Sequence, residues 1–296
     1  MDRRFPKQAF NLNDFSGFFE SDKSPPLKVE FLTGGACNSN YLVSTSEDEK
    51  VVCRVHSRKT AKMESYINSL VKGVVPTSEL LWTSGNFSVR HYIEGEAFTP
   101  SPSVVKEAGL IIAKMSKVKF EGKGYIQTDG TVTPIEGWNS IEKGLFSLLE
   151  HKQVKEILPN ALSTHLKRIV NDYSHIFSSF DESRNLVHGD FRPDNILVSN
   201  HSIKAVIDWE FAHSGCSYMD IGNIMRHLPG KWAKDLESGL IEGGFNLHEN
   251  WLFRAKLIDL ISHLEFLTSG RSQKFKESCL DKIKDLVVFE QNSNIT

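Results

Sequence analysis

Apolar and polar residues follow two different periods along this chain, and the change between them divides it into two regions. In the first region they alternate, as in strands with one buried face, and clusters of turn residues separate the runs. The predicted strands are residues 27–32, 41–45, 50–56, 79–83 and 87–93. A helical period in residues 60–72 predicts a helix between the third and fourth strands. Residues 1–95 are therefore predicted to form a small antiparallel sheet with one helix.

The segment before the first strand carries three phenylalanines near helical spacing. Phe15, Phe18 and Phe19 would share one side of a short helix, which Pro25 and Pro26 would end. We expect this helix to pack on the first region.

From residue 96 onward, apolar residues recur at helical spacing. The predicted helices are residues 103–119, 138–150, 158–180, 231–238, 250–268 and 273–290. Residues 120–137 are rich in Gly and Thr and are predicted to form a loop. Residues 96–296 are therefore predicted to form a larger, mainly helical second region.

Residues 186–213 interrupt the helical pattern with short apolar runs separated by polar residues. The predicted order is strand, loop, strand, turn and strand. The first loop holds His188, Asp190 and Asn195 at the spacing H-x-D-x-x-x-x-N, and Asp208 directly follows the last strand. A pair of strands can bring Asn195 and Asp208 to one end of a small sheet.

These side chains fit phosphoryl transfer, which requires mainly positioning and charge neutralisation from a protein. One carboxylate must accept a hydroxyl proton and direct the oxygen at the γ-phosphate, and Asp190 fits that role. Mg²⁺ prefers oxygen ligands and keeps several waters, so one amide and one carboxylate suffice beside the phosphates. Asn195 and Asp208 are therefore the predicted metal ligands.

The segment HGDFRPDN, followed by IDWE at residues 207–210, resembles the aminoglycoside phosphotransferase family, which includes choline, fructosamine and other small-molecule kinases. The resemblance implies an α+β, bilobal, protein-kinase-like fold with an N-lobe at residues 1–95 and a C-lobe at residues 96–296. It also implies an ATP-dependent kinase that transfers the γ-phosphate to a hydroxyl of a small molecule. A protein kinase is disfavoured, because the sequence lacks D-F-G at Asp208 and A-P-E after it.

The resemblance gives roles to residues around the motif. His188 is expected to brace the loop. Asp220 is expected to be a buried carboxylate that hydrogen-bonds the loop backbone, with a helix N-cap as the alternative. Arg192 could contact substrate or phosphate, and Glu210 could assist the metal or contact substrate. A solvated side chain is the alternative for both residues.

The first two strands enclose a turn with two glycines. Because glycine lacks Cβ, Gly34 and Gly35 could bring backbone N–H groups close to phosphate oxygens, although many hairpins carry such a pair for turn geometry alone. The resembled family places its nucleotide-covering loop here, and Ser39 and Asn40 could hydrogen-bond phosphate. The P-loop pattern G-x-x-x-x-G-K-[ST] is absent.

The third strand points alternate side chains to opposite faces, so Val52 and Arg54 share a face. By resemblance, Val52 covers the adenine, Arg54 contacts the phosphates, and an ion pair with Glu64 fixes Arg54. An exposed Arg and a solvated Glu are the alternatives. The segment after the fifth strand resembles the family's hinge, whose main chain contacts adenine. The candidates are His91, Tyr92 and Ile93.

Composition narrows the expected partners. A net charge of −2 gives no argument for a nucleic acid or a membrane surface, and the four scattered cysteines argue against a zinc site or a disulfide framework. Without a signal-peptide pattern or a long apolar run, a cytoplasmic protein is expected. ATP is the expected donor with GTP as an alternative, Mg²⁺ is the expected metal, and a monomer or a homodimer is the expected state.

The acceptor stays open at this point. A small excess of acids over bases in residues 96–296 suits a cationic acceptor, such as an aminoglycoside-like antibiotic or a related amino alcohol, although an ordinary soluble surface would look the same. One alternative is a metabolic kinase for choline, a sugar or an amino acid. Another is a catalytically silent nucleotide-binding regulator, which the presence of Asp190, Asn195 and Asp208 disfavours.

Overall fold

The computed structural model describes residues 5–22, 25–33, 37–45, 49–58, 60–136 and 140–292. The chain divides into two compact units. The first comprises Met1–Val104 and Pro193–Ala212, and the second comprises Val105–Arg192 and His213–Thr296. The chain thus returns to the first unit for one short segment. The predicted lobes, residues 1–95 and 96–296, stay a prediction.

The elements follow the predicted order. The strands are β1 (Pro26–Leu32), β2 (Ser39–Thr45), β3 (Lys50–Val55), β4 (Leu80–Ser84), β5 (Phe87–His91), β6 (Glu96–Ala97), β7 (Gly124–Ile126), β8 (Val132–Thr133), β9 (Asn185–Val187), β10 (Ile196–Ser199), β11 (Ser202–Val206) and β12 (His213–Gly215). The α-helices are α1 (Ser16–Asp22), α2 (Ala61–Val71), α3 (Pro102–Met115), α4 (Ile141–Glu150), α5 (Lys152–Ile157), α6 (Asn160–Asp172), α7 (Ser174–Asp181), α8 (Tyr218–His227), α9 (Ala233–Glu242), α10 (Trp251–Thr268) and α11 (Gln273–Asn292). None of the helices in the described ranges is both long and apolar enough to cross a membrane.

The first unit is built on an antiparallel sheet in the order β1-β2-β3-β5-β4. One face of the sheet carries a hydrophobic core, to which β3 contributes alternate residues. Phe15, Phe18 and Phe19 pack into this core, so the expected packing of the N-terminal helix is confirmed. Because strand side chains alternate, Val52 and Arg54 point to the opposite face.

A second, smaller sheet of the first unit has the order β11-β10-β6. In the β10–β11 hairpin, Ile196 pairs with Val206, and the Ile207 N–H donates to the Asn195 carbonyl at 2.9 Å. This register places Asn195 and Asp208 at the same end of the hairpin, as the strand pattern predicted.

The second unit is mainly helical and contains a sheet in the order β8-β7-β12-β9. Its strand β9 pairs with β12 and leads directly into the loop that begins at His188. The pairing fixes the start of that loop.

Several details of the second unit differ from the prediction. The predicted loop at residues 120–137 contains β7 and β8, and neither α5 nor β12 was predicted. The single helix predicted for residues 158–180 is wrong: it is two helices, α6 and α7, separated at Tyr173. The Tyr173 ring packs at 4.7 Å against Phe253 of α10. The apolar spacing continues across Tyr173, so the sequence carried no signal for the break.

Candidate active site

Arg54 lies on β3 with its guanidinium buried among three oxygen-bearing side chains. Its Nη1 donates to Glu64 Oε2 at 3.1 Å and to Asp208 Oδ1 at 2.8 Å. Its Nε donates at 2.9 Å to Oδ1 of Asn40, which is directly opposite on β2. Burial lowers the pKa of Arg54, but the carboxylates of Asp208 and Glu64 hold it above its ordinary value. The structure thus brings four of the predicted site residues together.

Glu64 lies in the first turn of α2, buried at the centre of this cluster. Besides Arg54 it binds Arg90, whose Nη2 lies 3.2 Å from Oε2. Its Oε1 lies 3.3 Å from His56 Nδ1 and accepts from the Thr60 hydroxyl at 3.2 Å. Burial raises the pKa of Glu64, but the surrounding positive charges, Arg54 first, outweigh it and lower the pKa to about 2. Glu64 is therefore ionised across the ordinary pH range.

Asp208 follows the hairpin in a left-handed backbone conformation, with φ of 68°. Asp tolerates this region better than most residues, and the conformation starts the turn that follows. A quarter of the Asp208 side chain, 25%, is exposed, whereas Asn195 is buried.

No group of three or more His, Cys, Asp and Glu side chains suited to holding a metal occurs in the described part of the chain. A metal here would need the Asn195 amide and ligands from outside the protein.

Glu210 lies in the 3₁₀ turn Trp209–Phe211, directly after Asp208. It is only 6% exposed, and its Oε2 has no hydrogen-bond partner among the described residues. Burial, followed by the charges of Asp208 and Glu64, raises the pKa of Glu210 to about 7. Burial and the neighbouring Glu210 raise the pKa of the Cys37 thiol to about 11. The thiol is therefore neutral at physiological pH.

Arg58 supports the same turn and was missed by the sequence reasoning. Its guanidinium lies 5.3 Å from the ring centroid of Phe211 and 5.6 Å from that of Phe5. Both distances are within the range of a cation–π interaction. A basic residue with two aromatic residues far apart in sequence gives no local pattern that could have revealed this contact.

In the second unit, the loop after β9 is held through its backbone. Asp220 is fully buried, and its two oxygens accept from the N–H groups of His188 at 2.8 Å and Gly189 at 3.0 Å. His188 is buried as well, and its Nδ1 accepts from the Asp190 N–H at 3.2 Å. The Nε of Arg192 lies 3.9 Å from Asp190 Oδ2. The structure thus brings His188, Asp190, Arg192 and Asp220 together.

The position of Asp220 is set by α8. Ser217 is the N-cap residue of that helix, so the alternative role of Asp220 as the N-cap is wrong. Burial raises the pKa of Asp220 to about 7, although the N–H groups of His188 and Gly189 act in the opposite direction. A buried carboxylate with two backbone donors holds the loop without a countercharge.

Helix α8 is fixed against α10 by close packing and by a buried ion pair that the sequence reasoning missed. A Cβ at Gly222 would lie 2.8 Å from the Ala255 carbonyl oxygen, so only glycine fits there. Four residues further along α8, Arg226 donates through Nε to Asp259 Oδ2 at 3.0 Å and through Nη2 to Asn223 Oδ1 at 2.8 Å. The sequence signal for this pair was the acidic residue Asp259 within the apolar helix α10.

The two candidate phosphate contacts on β2 lie on opposite faces of the strand. Asn40 binds Arg54, but Ser39 is buried, and its hydroxyl accepts from the Gln8 N–H at 3.0 Å. The structure therefore does not bring Ser39 to the Arg54 cluster. Gly34 and Gly35 lie outside the described residues.

The candidate hinge is partly bound within the first unit. The N–H of His91 donates to the Glu79 carbonyl at 3.0 Å, and the N–H of Tyr92 donates to the Lys50 carbonyl at 3.1 Å. The His91 carbonyl accepts from the Ser78 hydroxyl at 2.6 Å. Val52 is half-buried on the Arg54 face of β3, between Leu42 and Arg90 on the neighbouring strands. Ile93 is half-buried just beyond β5.

Solved structures share this fold at low sequence identity. A thermostable mutant of aminoglycoside phosphotransferase APH(4)-Ia, in ternary complex with AMP-PNP and hygromycin B, has a TM-score of 0.67 at 17% identity, covering 94% of this chain and 99% of that chain. Macrolide 2'-phosphotransferase MphH from Brachybacterium faecium has a TM-score of 0.66 at 12% identity, covering 92% and 98%. The fold is that of the small-molecule phosphotransferases, and the predicted α+β, protein-kinase-like fold class is confirmed.

The sequence gives the family directly. The phosphotransferase enzyme family (APH) matches residues 28–255, and the chain belongs to that family. Homoserine kinase from Zymomonas mobilis subsp. mobilis is 24% identical over 208 residues, which is 64% of this chain. The match spans 62% of the length of that kinase. The predicted family is therefore confirmed.

Proposed function

We propose that this protein is an ATP-dependent O-phosphotransferase that moves the γ-phosphate to a hydroxyl group of a small molecule. The observation that carries the proposal is Arg54, which pairs at once with Glu64 and Asp208. A buried guanidinium held by two carboxylates is fixed in position and can present its further N–H groups to phosphate oxygens. The AMP-PNP bound to the relative APH(4)-Ia supports a nucleoside triphosphate as the donor.

Asn195 and Asp208 would hold Mg²⁺. The hairpin register places them at one end of β10 and β11, and the partly exposed Asp208 carboxylate is accessible to a metal. The unpartnered Oε2 of Glu210 adds a buried oxygen in the next turn. These oxygen donors fit Mg²⁺, which takes its other ligands from phosphate and water. When bound, Mg²⁺ neutralises charge on the transferred phosphoryl group.

Asp190 would accept the proton of the acceptor hydroxyl and direct its oxygen at the phosphorus. The carboxylate can be aimed because its backbone is fixed: the Asp190 N–H donates to His188, and Asp220 binds the two preceding N–H groups. Proton transfer by a positioned side chain contributes about 10²–10⁴-fold to a rate.

For the nucleotide base, we propose that Val52 covers one side of the adenine and that Ile93 supplies the main-chain contact. The internal hydrogen bonds of the His91 and Tyr92 N–H groups disfavour those two candidates as donors to adenine. A half-buried valine beside Arg54 offers an apolar surface next to the cationic group that would bind the phosphates.

For the acceptor, we propose a small hydroxyl compound with a positive charge, such as an aminoglycoside-like antibiotic or a related amino alcohol. The mildly acidic composition of residues 96–296 favours it. A second candidate is a hydroxyl amino acid. The guanidinium of Arg192, near Asp190, could bind its carboxylate, and the resemblance to a homoserine kinase points the same way.

The test is a transfer assay with ATP or GTP, Mg²⁺ and a panel of acceptors: an aminoglycoside, a macrolide, choline, homoserine and a sugar. Asp190→Asn, measured beside the native chain, sets the background. We expect phosphorylation of one acceptor class by the native chain only. Background transfer by both proteins with every acceptor, together with retained nucleotide binding, would favour a silent nucleotide-binding regulator.

A further inference from the structure

Strand β1 forms an exposed edge of the five-stranded sheet. Among the described residues it pairs with β2 and with no other strand. Four of its residues in a row are exposed, and Leu27 and Val29 have 72% and 40% of their surface accessible. A long edge strand with exposed apolar side chains is a template for pairing with another chain, and most proteins protect such edges.

The opposite edge of the same sheet is protected. Strand β4 has five residues, an irregularity between Leu80 and Trp82, and helix α2 packed beside it. Strand β1 has seven residues, and its irregularity lies at its first residues, between Pro26 and Lys28. The pairing with β2 is therefore regular from Lys28 to Leu32, and the exposed residues of the strand are 27–30.

The charges on β1 are arranged symmetrically about Val29. Lys28 and Glu30 flank it, point to the same face and bind each other, with 68% and 49% of their side chains exposed. In an antiparallel pair of identical strands centred on Val29, each Lys28 lies opposite a Glu30, and the two Val29 side chains meet. Residues 27 and 31, both apolar, also come opposite each other.

We propose that the β1 edges of two copies of this chain pair antiparallel about Val29 and join their sheets in a symmetric homodimer. Such a contact is isologous, because the same patch serves both copies. One strand pair buries little area, so the association is expected to be weak and concentration-dependent. The inference does not rest on the proposed catalytic activity, because β1 carries none of the candidate site residues.

The experiment uses three variants of the whole chain in sedimentation velocity over a series of protein concentrations. Lys28→Glu places Glu opposite Glu across the two-fold axis, and Glu30→Lys places Lys opposite Lys. Each is expected to weaken self-association about tenfold, because two attractive cross-strand pairs become repulsive. The double variant, Lys28→Glu with Glu30→Lys, restores opposite charges and is expected to restore native association.

A matched control is Lys72→Glu, which reverses one charge of the exposed Lys72–Glu79 pair of the same unit and should leave association unchanged. The fold is checked by thermal unfolding of every variant. A native chain that stays monomeric up to near-millimolar concentration would overturn the proposal. A double variant that fails to regain the association lost in both single variants would overturn it as well. Loss of phosphotransfer with native self-association would refute only the proposed function.

Discussion

The two groups of candidate residues, one in each unit, are held in opposite ways. Around Arg54 in the first unit, charged side chains bind one another, and each is balanced by an opposite charge. Around Asp190 in the second unit, Asp220 binds backbone N–H groups and is buried without a countercharge. The pKa values reflect this difference: that of Glu64 is lowered to about 2, and that of Asp220 is raised to about 7.

The difference fits the roles proposed for the two regions. A phosphate-binding group must be a cation that keeps its place, and a network of ion pairs provides both the charge and the rigidity. A general base must be held in position, and main-chain hydrogen bonds can fix the backbone that carries it. Substitutions in the first network should therefore change stability and nucleotide binding, and substitutions in the second should mainly change the rate of transfer.

The largest expected effect is on the rate of phosphate transfer, and it distinguishes Asp190 from Asp208. Asp190→Asn should lower phosphate transfer about 10²–10⁴-fold, because it removes the proton acceptor. It should keep the rise in melting temperature that Mg²⁺ and nucleotide give the native chain. Asp208→Asn should lose that rise as well, because it removes a predicted metal ligand and a partner of Arg54.

Calorimetry with Mg²⁺ and AMP-PNP measures the nucleotide-dependent shift without turnover, and transfer is followed separately. Nucleotide stabilisation lost in Asp190→Asn, or retained in full in Asp208→Asn, would contradict the division of roles. Cooperative unfolding of both unliganded variants, at a lower melting temperature for Asp208→Asn because Arg54 loses a partner, would show that neither result comes from misfolding.

The next largest effect is on stability. Glu64→Gln keeps the shape of the side chain but leaves the buried Arg54 and Arg90 without their shared carboxylate. Removing one partner of a buried ion pair costs about 3–5 kcal/mol, so the free energy of unfolding should fall by about that amount. Urea unfolding measures it.

Glu79→Gln is the matched control, since that carboxylate pairs with Lys72 at the surface and should give no measurable change. A Glu64→Gln protein as stable as the native chain would mean that the cluster is more hydrated than its burial indicates.

These contrasts also explain how much the sequence could predict. The spacing of His188, Asp190, Asn195 and Asp208 predicted the family. The short apolar runs between these residues predicted the strands, and therefore the hairpin and the loop. Strand alternation predicted that Arg54 leaves the core face of β3, and the ion pair with Glu64 was expected from the resemblance. Patterns of this kind involve residues that are close in sequence, so they can be recognised without knowing the tertiary structure.

What the sequence could not predict depends on residues far apart in the chain. The hydroxyl of Ser39 is turned away from Arg54 by alternation along β2, but its acceptance from Gln8 depends on the path of the N-terminal segment. The contact of Arg58 with Phe5 and Phe211 joins three distant segments. The Arg226–Asp259 pair requires the packing of α8 on α10. Alternation and the acid within apolar α10 marked single residues, but no sequence pattern identified the distant partner in any of these contacts.

A smaller effect concerns the buried carboxyl of Asp220. Its pKa is raised from 3.8 to about 7, so between these values the native state binds a proton that the unfolded chain has released. Stability from this group is present below the unfolded pKa and is lost as pH rises through about 7, at up to about 1.4 kcal/mol per pH unit. Asp220→Asn cannot ionise and should lack this slope.

The free energy of unfolding, measured for both proteins at about pH 5 and about pH 7, checks the sign. Glu210 contributes a slope of the same sign to both proteins, so the difference between them isolates Asp220. A native chain that gains stability over Asp220→Asn as pH rises would show that the two backbone donors outweigh burial.

The smallest expected effects are those of substitutions at two neighbouring residues of β2, Asn40 and Ser39. Asn40→Ala removes the acceptor of Arg54 Nε and should raise the KM for ATP about fivefold, because a hydrogen bond to a charged group that helps to orient it is lost. Ser39→Ala removes the acceptor of the Gln8 N–H and should lower the free energy of unfolding by about 1 kcal/mol with an unchanged KM. Steady-state kinetics and urea unfolding of both variants measure the crossed pattern. A higher KM in Ser39→Ala at native stability would place the nucleotide on the other face of the strand, and the assignment of Arg54 to the phosphates would fall with it.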